Sequence, residues 1–417
     1  MTTLTTTLPH ERRNLVAFIG DFLFASIAAT IINPTVVLPD FIGQLTSSEF
    51  IIGLVLTCYS LGRLVMQFGF SPRIARAEKR KPWFMIPALL GRWTFIGAGV
   101  LIVVIGGGHS AVLIGVVIVA VLSFQLMDGI TSPAWFELMG SSLTNRSRIQ
   151  FLGYSQVFVG PLLAIISVFL VGAVLESAPF PTNYGYLFII GGMFMFASAL
   201  MITILIERPT PPHRNAPTLM QYGKYLRALI QTDKPYRDFL IVRFLLFFGR
   251  ATTGFYIVYG VRELGYDNET LVRNFLVLLI MGQMFGALIG SMLSSRYSSR
   301  AGVWLAMLFL VMHIGLALFS GQFGIAMLYS AIFFAGAEGA MFKVGFINYV
   351  VEYAPDGERP LYSTVASLIG ALGLITPLFA GAIVQATSYQ LLFSMALMIA
   401  IAGGVYSLRL VVPTRAV

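Results

Sequence analysis

The sequence predicts an all-α integral membrane protein with about twelve transmembrane helices, arranged as two similar six-helix halves. Three observations predict this fold: the composition, a regular series of apolar segments, and residue patterns that recur between the halves. Of the 417 residues, 57% are hydrophobic and only 11% are charged, whereas about 25% of the residues in a soluble domain are charged. We therefore expect lipid to surround most of the chain.

Apolar windows of about 20 residues, the length that crosses a bilayer as a helix, define the predicted spans. They lie near 15–38, 50–70, 83–105, 111–139, 150–175, 185–206, 238–260, 271–295, 302–320, 322–350, 361–386 and 389–411. The polar residues before the first window lead directly into it, and no small-residue cleavage pattern follows. We interpret this window as a span and not as a removable signal peptide.

The distribution of basic residues predicts the orientation. Of the 27 Lys and Arg residues, twenty fall on one side of the predicted membrane, Arg262 and Arg273 fall on the other, and five lie inside spans. The positive-inside rule then places both termini in the cytoplasm. The net charge of +9 is thus explained by orientation and by anionic lipid headgroups, so we expect no nucleic-acid partner. We predict a functional monomer in a plasma membrane, the inner membrane if the source is bacterial.

Residues 1–206 and 238–417 form the two predicted halves, and 207–237 are the linker between them. The linker opens with four prolines between 209 and 217, and its later part has apolar residues at helical spacing. That part is either an amphipathic helix in the headgroup layer or an ordinary linker helix. Asp128-Gly129 matches Glu338-Gly339 at an offset of 210 residues. Transporters are commonly built from such repeats, with the solute site between them.

The loops after spans two and eight also match, and they carry a family resemblance. The chain resembles the major facilitator superfamily of secondary transporters over nearly its whole length. Residues of the family's loop motif are present in both halves, where they are Gly69, Arg76, Arg80, Lys81 and Pro82, and then Gly290, Arg296 and Arg300. The motif's aspartate is replaced by Ala75 and Ser295. The resemblance implies that these arginines belong to gating loops, and that spans one, four, seven and ten line a central cavity.

Ionisable residues inside the spans are the candidate functional residues, because a charge at the bilayer centre costs on the order of 3 kcal/mol. Nine lie well inside: Asp21, Arg63, Arg92, Asp128, Arg243, Arg250, His313, Glu338 and Lys343. The candidates for proton coupling are Asp128, Glu338 and Asp21. The candidates for solute binding or cavity lining are Arg250, Lys343, Arg243 and Arg92. The alternative for every one of them is a structural ion pair, and for Asp21 and Arg243 this would be a pair between the halves.

Glycines and one proline predict where helices pack closely or bend. Gly282, Gly286 and Gly290 are four residues apart on span eight, which places them on one helix face that a neighbouring helix can approach. Gly160-Pro161 interrupts span five, where proline removes a backbone hydrogen bond and permits a bend. Exporters of the superfamily carry a glycine-proline motif in that span, and the partial match favours export.

The sequence contains no phosphate-binding loop, no paired metal motif and no nucleophile elbow, so we predict neither a cofactor, nor a metal site, nor an enzyme. We predict a secondary active transporter that moves a small solute by alternating access, with proton-coupled export of an amphipathic compound as the first choice. Proton-coupled uptake of a sugar or an organic anion is the second. A lipid flippase or an integral membrane enzyme is the alternative from another class.

Overall fold

The computed structural model describes residues 10–412 except 145–146, 149–150, 152–159, 209–226, 228, 297 and 356–358. In these residues eleven helices are long and apolar enough to cross a membrane, and a shorter apolar helix supplies a twelfth segment. The predicted number of spans is therefore confirmed approximately, and the chain is a multi-pass membrane protein.

The helices of the first six spans follow the predicted order. Span one is Glu11–Ile31, span two Glu49–Arg76, span three Lys81–Ile105, span four Ser110–Ser142, the described part of span five Gly160–Ser177, and span six Thr182–Thr203. A short extra helix, Val37–Leu45, lies between spans one and two.

The last six spans include three that are interrupted. Span seven is Lys234–Arg250 and Tyr256–Arg262, span eight Asn268–Arg296, span nine Ser299–Phe323, span ten Ile325–Phe342 and Asn348–Tyr353, span eleven Arg359–Gly373 and Thr376–Ala386, and span twelve Tyr389–Ser407.

The predicted end of span one at residue 38 is wrong. The helix ends at Ile31, and the reason is the sequence Asn33-Pro34, because proline disfavours the α conformation in the residue before it. The apolar residues that follow form the separate helix Val37–Leu45. Hydrophobicity alone did not distinguish these two helices.

Span seven starts where Asp233 caps it. The Tyr236 amide donates a hydrogen bond of 3.0 Å to Asp233 Oδ1, and the hydroxyls of Tyr353 and Tyr362 donate to the same carboxylate over 2.6 and 2.9 Å. One acid thus satisfies an orphan N–H of the helix end and ties span seven to spans ten and eleven. Asp267 has a similar role before span eight. The amide of Thr270 donates to it over 2.9 Å, which lowers the pKa of the Asp267 carboxyl.

The glycine face of span eight lies against span ten. A Cβ on Gly286 would be 2.8 Å from Ala337 Cα, one on Gly282 would be 3.1 Å from Ala337 N, and one on Gly290 would be 2.9 Å from a methyl group of Val344. A Cβ contact under 3.0 Å is essentially never seen, so a larger residue at Gly286, where the contact is with backbone, would force the helices to shift. The predicted close approach on this face is present, and it places the backbone of span eight directly behind the residue that precedes Glu338.

The chain divides into two compact units, and their limits differ from the predicted halves. The first unit is Met1–Asn33 with Cys58–Pro217, and the second is Pro34–Thr57 with Thr218–Val417. Residues 49–57, the first part of span two, therefore pack with the second unit. A Cβ on Gly53 would lie 3.1 Å from the carbonyl carbon of Pro377, and one on Gly381 would lie 3.0 Å from that of Glu49. The division at 1–206 and 238–417 stays a prediction about how the halves move.

The first unit has an apolar core near the start of span one. Phe18 of span one, Phe84 of span three, Leu138 of span four and Ala199 of span six are all fully or almost fully buried there. Trp135 packs edge-on against Phe18 with 5.5 Å between ring centroids. This core holds spans one, three, four and six in the register that brings their polar residues together.

Two predictions fall partly outside the described residues. The predicted amphipathic helix of the linker starts near residue 219, and of this region only 227 and 229–232 are described, as helix. For the Gly160-Pro161 bend, the described helix begins at Gly160, whereas the preceding residues 152–159 are outside the described part. The bend therefore stays a prediction.

Candidate functional site

Asp21 lies in the interior of the first unit with three different donors around its carboxylate. Trp135 Nε1 donates to Oδ2 over 2.8 Å, Ser198 Oγ donates to Oδ1, and an Arg92 guanidinium nitrogen lies 3.8 Å from Oδ1. Asp21 and Arg92 are 6% and 8% exposed. The two charges compensate each other in a buried place, where removal of one partner would leave the other unpaired. An ion pair with an acid on another helix, one of the predicted structural alternatives for Arg92, has this geometry.

Asp128 has a more open environment in the same unit. Its Oδ2 lies 3.2 Å from Nε of Arg63 on span two, and the Thr131 hydroxyl donates to Oδ1 over 3.2 Å. Arg63 also donates to Ser132 Oγ over 2.7 Å. The side chains of Arg63 and Asp128 are 47% and 27% exposed. This acid is therefore accessible, in contrast to Asp21, and its pairing can change at a lower cost.

Glu338 in the second unit is buried and only partly bonded. Its Oε2 lies 3.2 Å from Nε of Arg250 on span seven, and the residue is 2% exposed. Among the described residues its other oxygen, Oε1, has no hydrogen-bond partner. A buried carboxylate with a single partner is costly in its charged form.

Arg243, Arg250 and Lys343, which we call the cation cluster, lie on spans seven and ten. The guanidinium carbon of Arg243 is 5.7 Å from the ring centroid of Phe247 and 5.0 Å from that of Phe342, and the corresponding distances for Arg250 are 5.9 and 5.1 Å. Cations over aromatic faces are stabilised by the ring quadrupole. The two rings thus hold both arginines at one place in the second unit.

The cation cluster coincides with irregular backbone in both of its spans. Arg250 is the last residue of the first helix of span seven, and a 3₁₀ turn at Thr253–Phe255 follows. Lys343 is the first residue of a π-helical segment, Lys343–Ile347. Single π-helical turns occur frequently at functional sites. No proline causes these breaks, and hydrophobic patterning did not predict either of them.

His313 and two of the four predicted gating-loop arginines, Arg80 and Arg300, contact neighbouring residues. His313 is fully buried and its Nδ1 is 2.8 Å from the hydroxyl of Tyr256. Arg80 is 1% exposed, its Nε lies 3.7 Å from Glu137, and its amide donates to Glu207. Arg300 donates to the carbonyl of Leu410 over 3.1 Å. Arg76 and Arg296 are the last helical residues of spans two and eight, Arg76 is exposed, and the side chain of Arg296 is outside the described part.

A polar cluster in the second unit, at the start of span two, was not predicted. Oε1 of Glu49 accepts hydrogen bonds from Arg262 and from the Tyr389 hydroxyl, and the Glu49 amide donates to Gln385 over 2.9 Å. One signal was present in the sequence: Arg262 is one of only two basic residues that the orientation places outside. Glu49, at the start of span two, is one of several acids in the same predicted layer.

Comparison with known proteins identifies the family. The model of the Major Facilitator Superfamily matches residues 21–375. The chain belongs to this superfamily. A comparison with curated proteins finds no match. The membership and the fold indicate a transporter and not an enzyme.

Solved major facilitator structures share the fold over almost the whole chain. A variant of the nucleoside transporter NupG has a TM-score of 0.74 at 13% identity and covers 95% of this chain and 100% of its own. A D-xylose-proton symporter has a TM-score of 0.71 at 12% identity, with coverages of 98% and 99%. A bacterial homologue of the human lysosomal transporter Spinster, inward-facing and unoccupied, has a TM-score of 0.66 at 13% identity, with coverages of 96% and 95%. Identities this low establish the fold and not the solute.

For a major facilitator protein, the arrangement of charges has a clear chemical meaning. Three carboxylates inside the spans, Asp21, Asp128 and Glu338, each lie beside one arginine. Among the described residues no group of three or more His, Cys, Asp or Glu side chains is close enough to hold a metal ion. The carboxylates and arginines at these positions form ion pairs and hydrogen bonds.

Proposed function

We propose that this protein is a proton-coupled secondary transporter that moves a small solute by alternating access. The observation that carries the proposal is the buried Glu338, which has one arginine partner and, in the described part of the chain, one oxygen without a partner. Burial raises the cost of its charge and Arg250 lowers it. A conformational change that separates the two would exchange a proton, and this is the step that coupling requires.

Asp128 is the second proposed coupling residue. It matches Glu338 in the repeat, and its pair with Arg63 is partly exposed. Asp21 is a weaker candidate, because three donors hold its carboxylate in the first unit. Its proposed role is to position Arg92, Trp135 and Ser198. An ion pair between Asp21 and Arg243 stays a prediction.

The first-choice solute is an amphipathic compound moved outward in exchange for protons, on the basis of the glycine-proline match in span five. Uptake of a sugar or an organic anion with protons is the second candidate. One structural neighbour is a D-xylose-proton symporter, and the positive cation cluster favours the organic anion within this second candidate. We propose that the protein is a monomer in a plasma membrane, with both termini in the cytoplasm.

The function is tested with the purified full-length chain in proteoliposomes. A transporter exchanges labelled for unlabelled solute in counterflow without altering it chemically, and an imposed pH gradient drives accumulation if protons are coupled. Counterflow that is insensitive to the pH gradient would contradict the coupling. Chemical conversion of the solute would indicate an enzyme, and movement of labelled phospholipid alone would indicate a flippase.

The proposed orientation predicts which positions react from outside the cell. Starting from a Cys58→Ala chain, cysteine at Ser71 or Thr218 should resist an impermeant thiol reagent in intact cells, and cysteine at Ser47 should react. The physical reason is the concentration of Lys and Arg on the side of residues 71–82 and 207–237. Permeabilised cells provide the control, because all three positions should then react. The reverse labelling pattern would contradict the topology.

A further inference from the structure

The cation cluster has three positive charges, and the described residues of the second unit provide only one acidic partner for them. Glu338 pairs with Arg250 at 3.2 Å, and it is the only acid paired with a member of the cluster among the described residues. Arg243 and Lys343 are therefore two positive charges without a counterion in the described part of this unit. Arg250 adds to their cost, because it repels both.

Arg243 is the member of the cluster whose buried charge is least compensated. It is 9% exposed, and its Nε has no hydrogen-bond partner among the described residues. A buried ion without a counterion is strongly unfavourable even after the surroundings relax. The aromatic contacts with Phe247 and Phe342 offset part of this cost, but a ring face cannot accept the in-plane N–H bonds of a guanidinium. Those donors fit the oxygens of a carboxylate or a phosphate.

The positions of the three cations let them act on one ligand. Arg243 and Arg250 are seven residues apart, which is about two helical turns, so both lie on the same face of span seven. Both guanidinium groups lie within 6 Å of the same two ring centroids, those of Phe247 and Phe342. The Lys343 side chain follows Phe342 directly and is exposed, so it is available to a ligand that enters beside these rings.

We propose that the cation cluster binds the oxyanion group, a carboxylate or a phosphate ester, of a small organic solute. This inference rests on the proposed transport function and names the chemical class of its substrate. Arg243 and Lys343 supply the charge that the anion neutralises, and Arg250 is shared between the anion and Glu338. The anion and the Glu338 carboxylate therefore compete for one guanidinium group.

If the anion and Glu338 compete for Arg250, two substitutions should change the affinity for the anion in opposite directions. Arg243→Gln removes a charged donor and should weaken anion binding about tenfold or more, since hydrogen bonds to charged groups contribute about 1.5–3 kcal/mol. Glu338→Gln removes the competing carboxylate and should tighten binding several-fold. Arg409→Gln, at an exposed arginine after span twelve, is the matched control and should leave binding unchanged.

The measurement is the thermal shift of the purified chain in nanodiscs of neutral lipid, titrated with benzoate, phenyl phosphate, inorganic phosphate and the uncharged benzamide. A ligand that binds only the folded state raises the apparent stability. We expect benzoate or phenyl phosphate to stabilise the chain, benzamide to have no effect, and the variants to shift as stated. If Arg243→Gln does not fold, the exposed Lys343→Gln is used in its place with the same expectation.

Three results would overturn the inference. The first is no stabilisation by any anion, and the second is equal stabilisation of the wild type and the Arg243 or Lys343 variant. The third comes from a parallel preparation in nanodiscs that contain anionic lipid: stabilisation by that lipid alone would assign the cluster to a lipid headgroup. These results would contradict anion binding without contradicting the proposed transport function. For example, a protein that binds no anion but accumulates a neutral solute in response to a pH gradient would still be a proton-coupled transporter.

Discussion

Replacing Gly286 by leucine is expected to eliminate folded, transport-competent protein. The Cβ of any side chain at this position would lie 2.8 Å from Ala337 Cα and 3.0 Å from its carbonyl carbon. These are backbone atoms, which cannot rotate away as a flexible side chain can. Overpacking a well-packed site typically costs about 1–3 kcal/mol, and four added carbons against backbone should reach or exceed the upper end of that range.

The matched control is Gly97→Leu on span three. Gly97 is exposed and helical, and a Cβ there would have no atom within 4 Å. We expect this variant to keep its expression and its melting temperature, measured by size-exclusion chromatography and thermal unfolding in detergent. Gly286→Ala should be intermediate. Normal melting and normal transport in Gly286→Leu would show that spans eight and ten are not in contact through this face.

Replacing Glu338 by glutamine is expected to abolish accumulation driven by a pH gradient and to retain counterflow. The amide keeps the size of the side chain and removes the exchangeable proton, whereas counterflow requires no net proton movement. We expect a nearly complete loss of accumulation, because a coupling site that cannot be protonated leaves only equilibration. Asp128→Asn should have the same effect if both acids couple, and no effect on the driven step if Glu338 alone does.

Glu263→Gln is the matched control for Glu338, since Glu263 is an exposed acid between spans seven and eight. The readout is uptake in proteoliposomes across a series of internal and external pH values. Normal accumulation with unchanged pH dependence in both the Asp128 and Glu338 variants would remove them as couplers. Loss of counterflow together with a lower melting temperature would instead assign a structural role to the pair that is lost.

The sequence predicted the helices well because lipid imposes a strong local constraint. Backbone polar groups that face lipid must be bonded within the helix itself, so the length and apolarity of a segment locate the spans, although not every helix end or break inside them. The glycine face of span eight was predictable for a related reason. Its residues share one helix face by spacing alone, and small residues at that spacing are typical of a close contact between membrane helices.

The partners of the charged residues were less predictable, because they depend on how helices rotate against one another. The structure pairs Glu338 with Arg250, and both are among the ionisable residues that the sequence predicts inside spans. Trp135 and Ser198 were not predicted as partners of Asp21, since neutral donors have no charge that marks them in a sequence. The repeat matched Asp128 with Glu338, yet their arginines come from spans two and seven. Equivalent acids thus acquired different neighbours.

The breaks in spans seven and ten were missed because they contain no proline and keep the hydropathy of a continuous span. The assignment of residues 34–57 to the second unit was missed for another reason. It depends on backbone contacts at Gly53 and Gly381 that join residues more than 300 positions apart. Such contacts leave no periodic signal along the chain.

The hydrogen bond from Trp135 to Asp21 has an optical consequence. Indole emission responds to charge next to the ring, and here the carboxylate lies 2.8 Å from the ring nitrogen. The chain has only four tryptophans, so replacing Trp83, Trp93 and Trp304 by phenylalanine would isolate this signal. The emission maximum and the intensity of Trp135 fluorescence would then report changes in the charge and position of Asp21 during a transport cycle. The first unit thus contains an intrinsic spectroscopic probe that requires no attached dye.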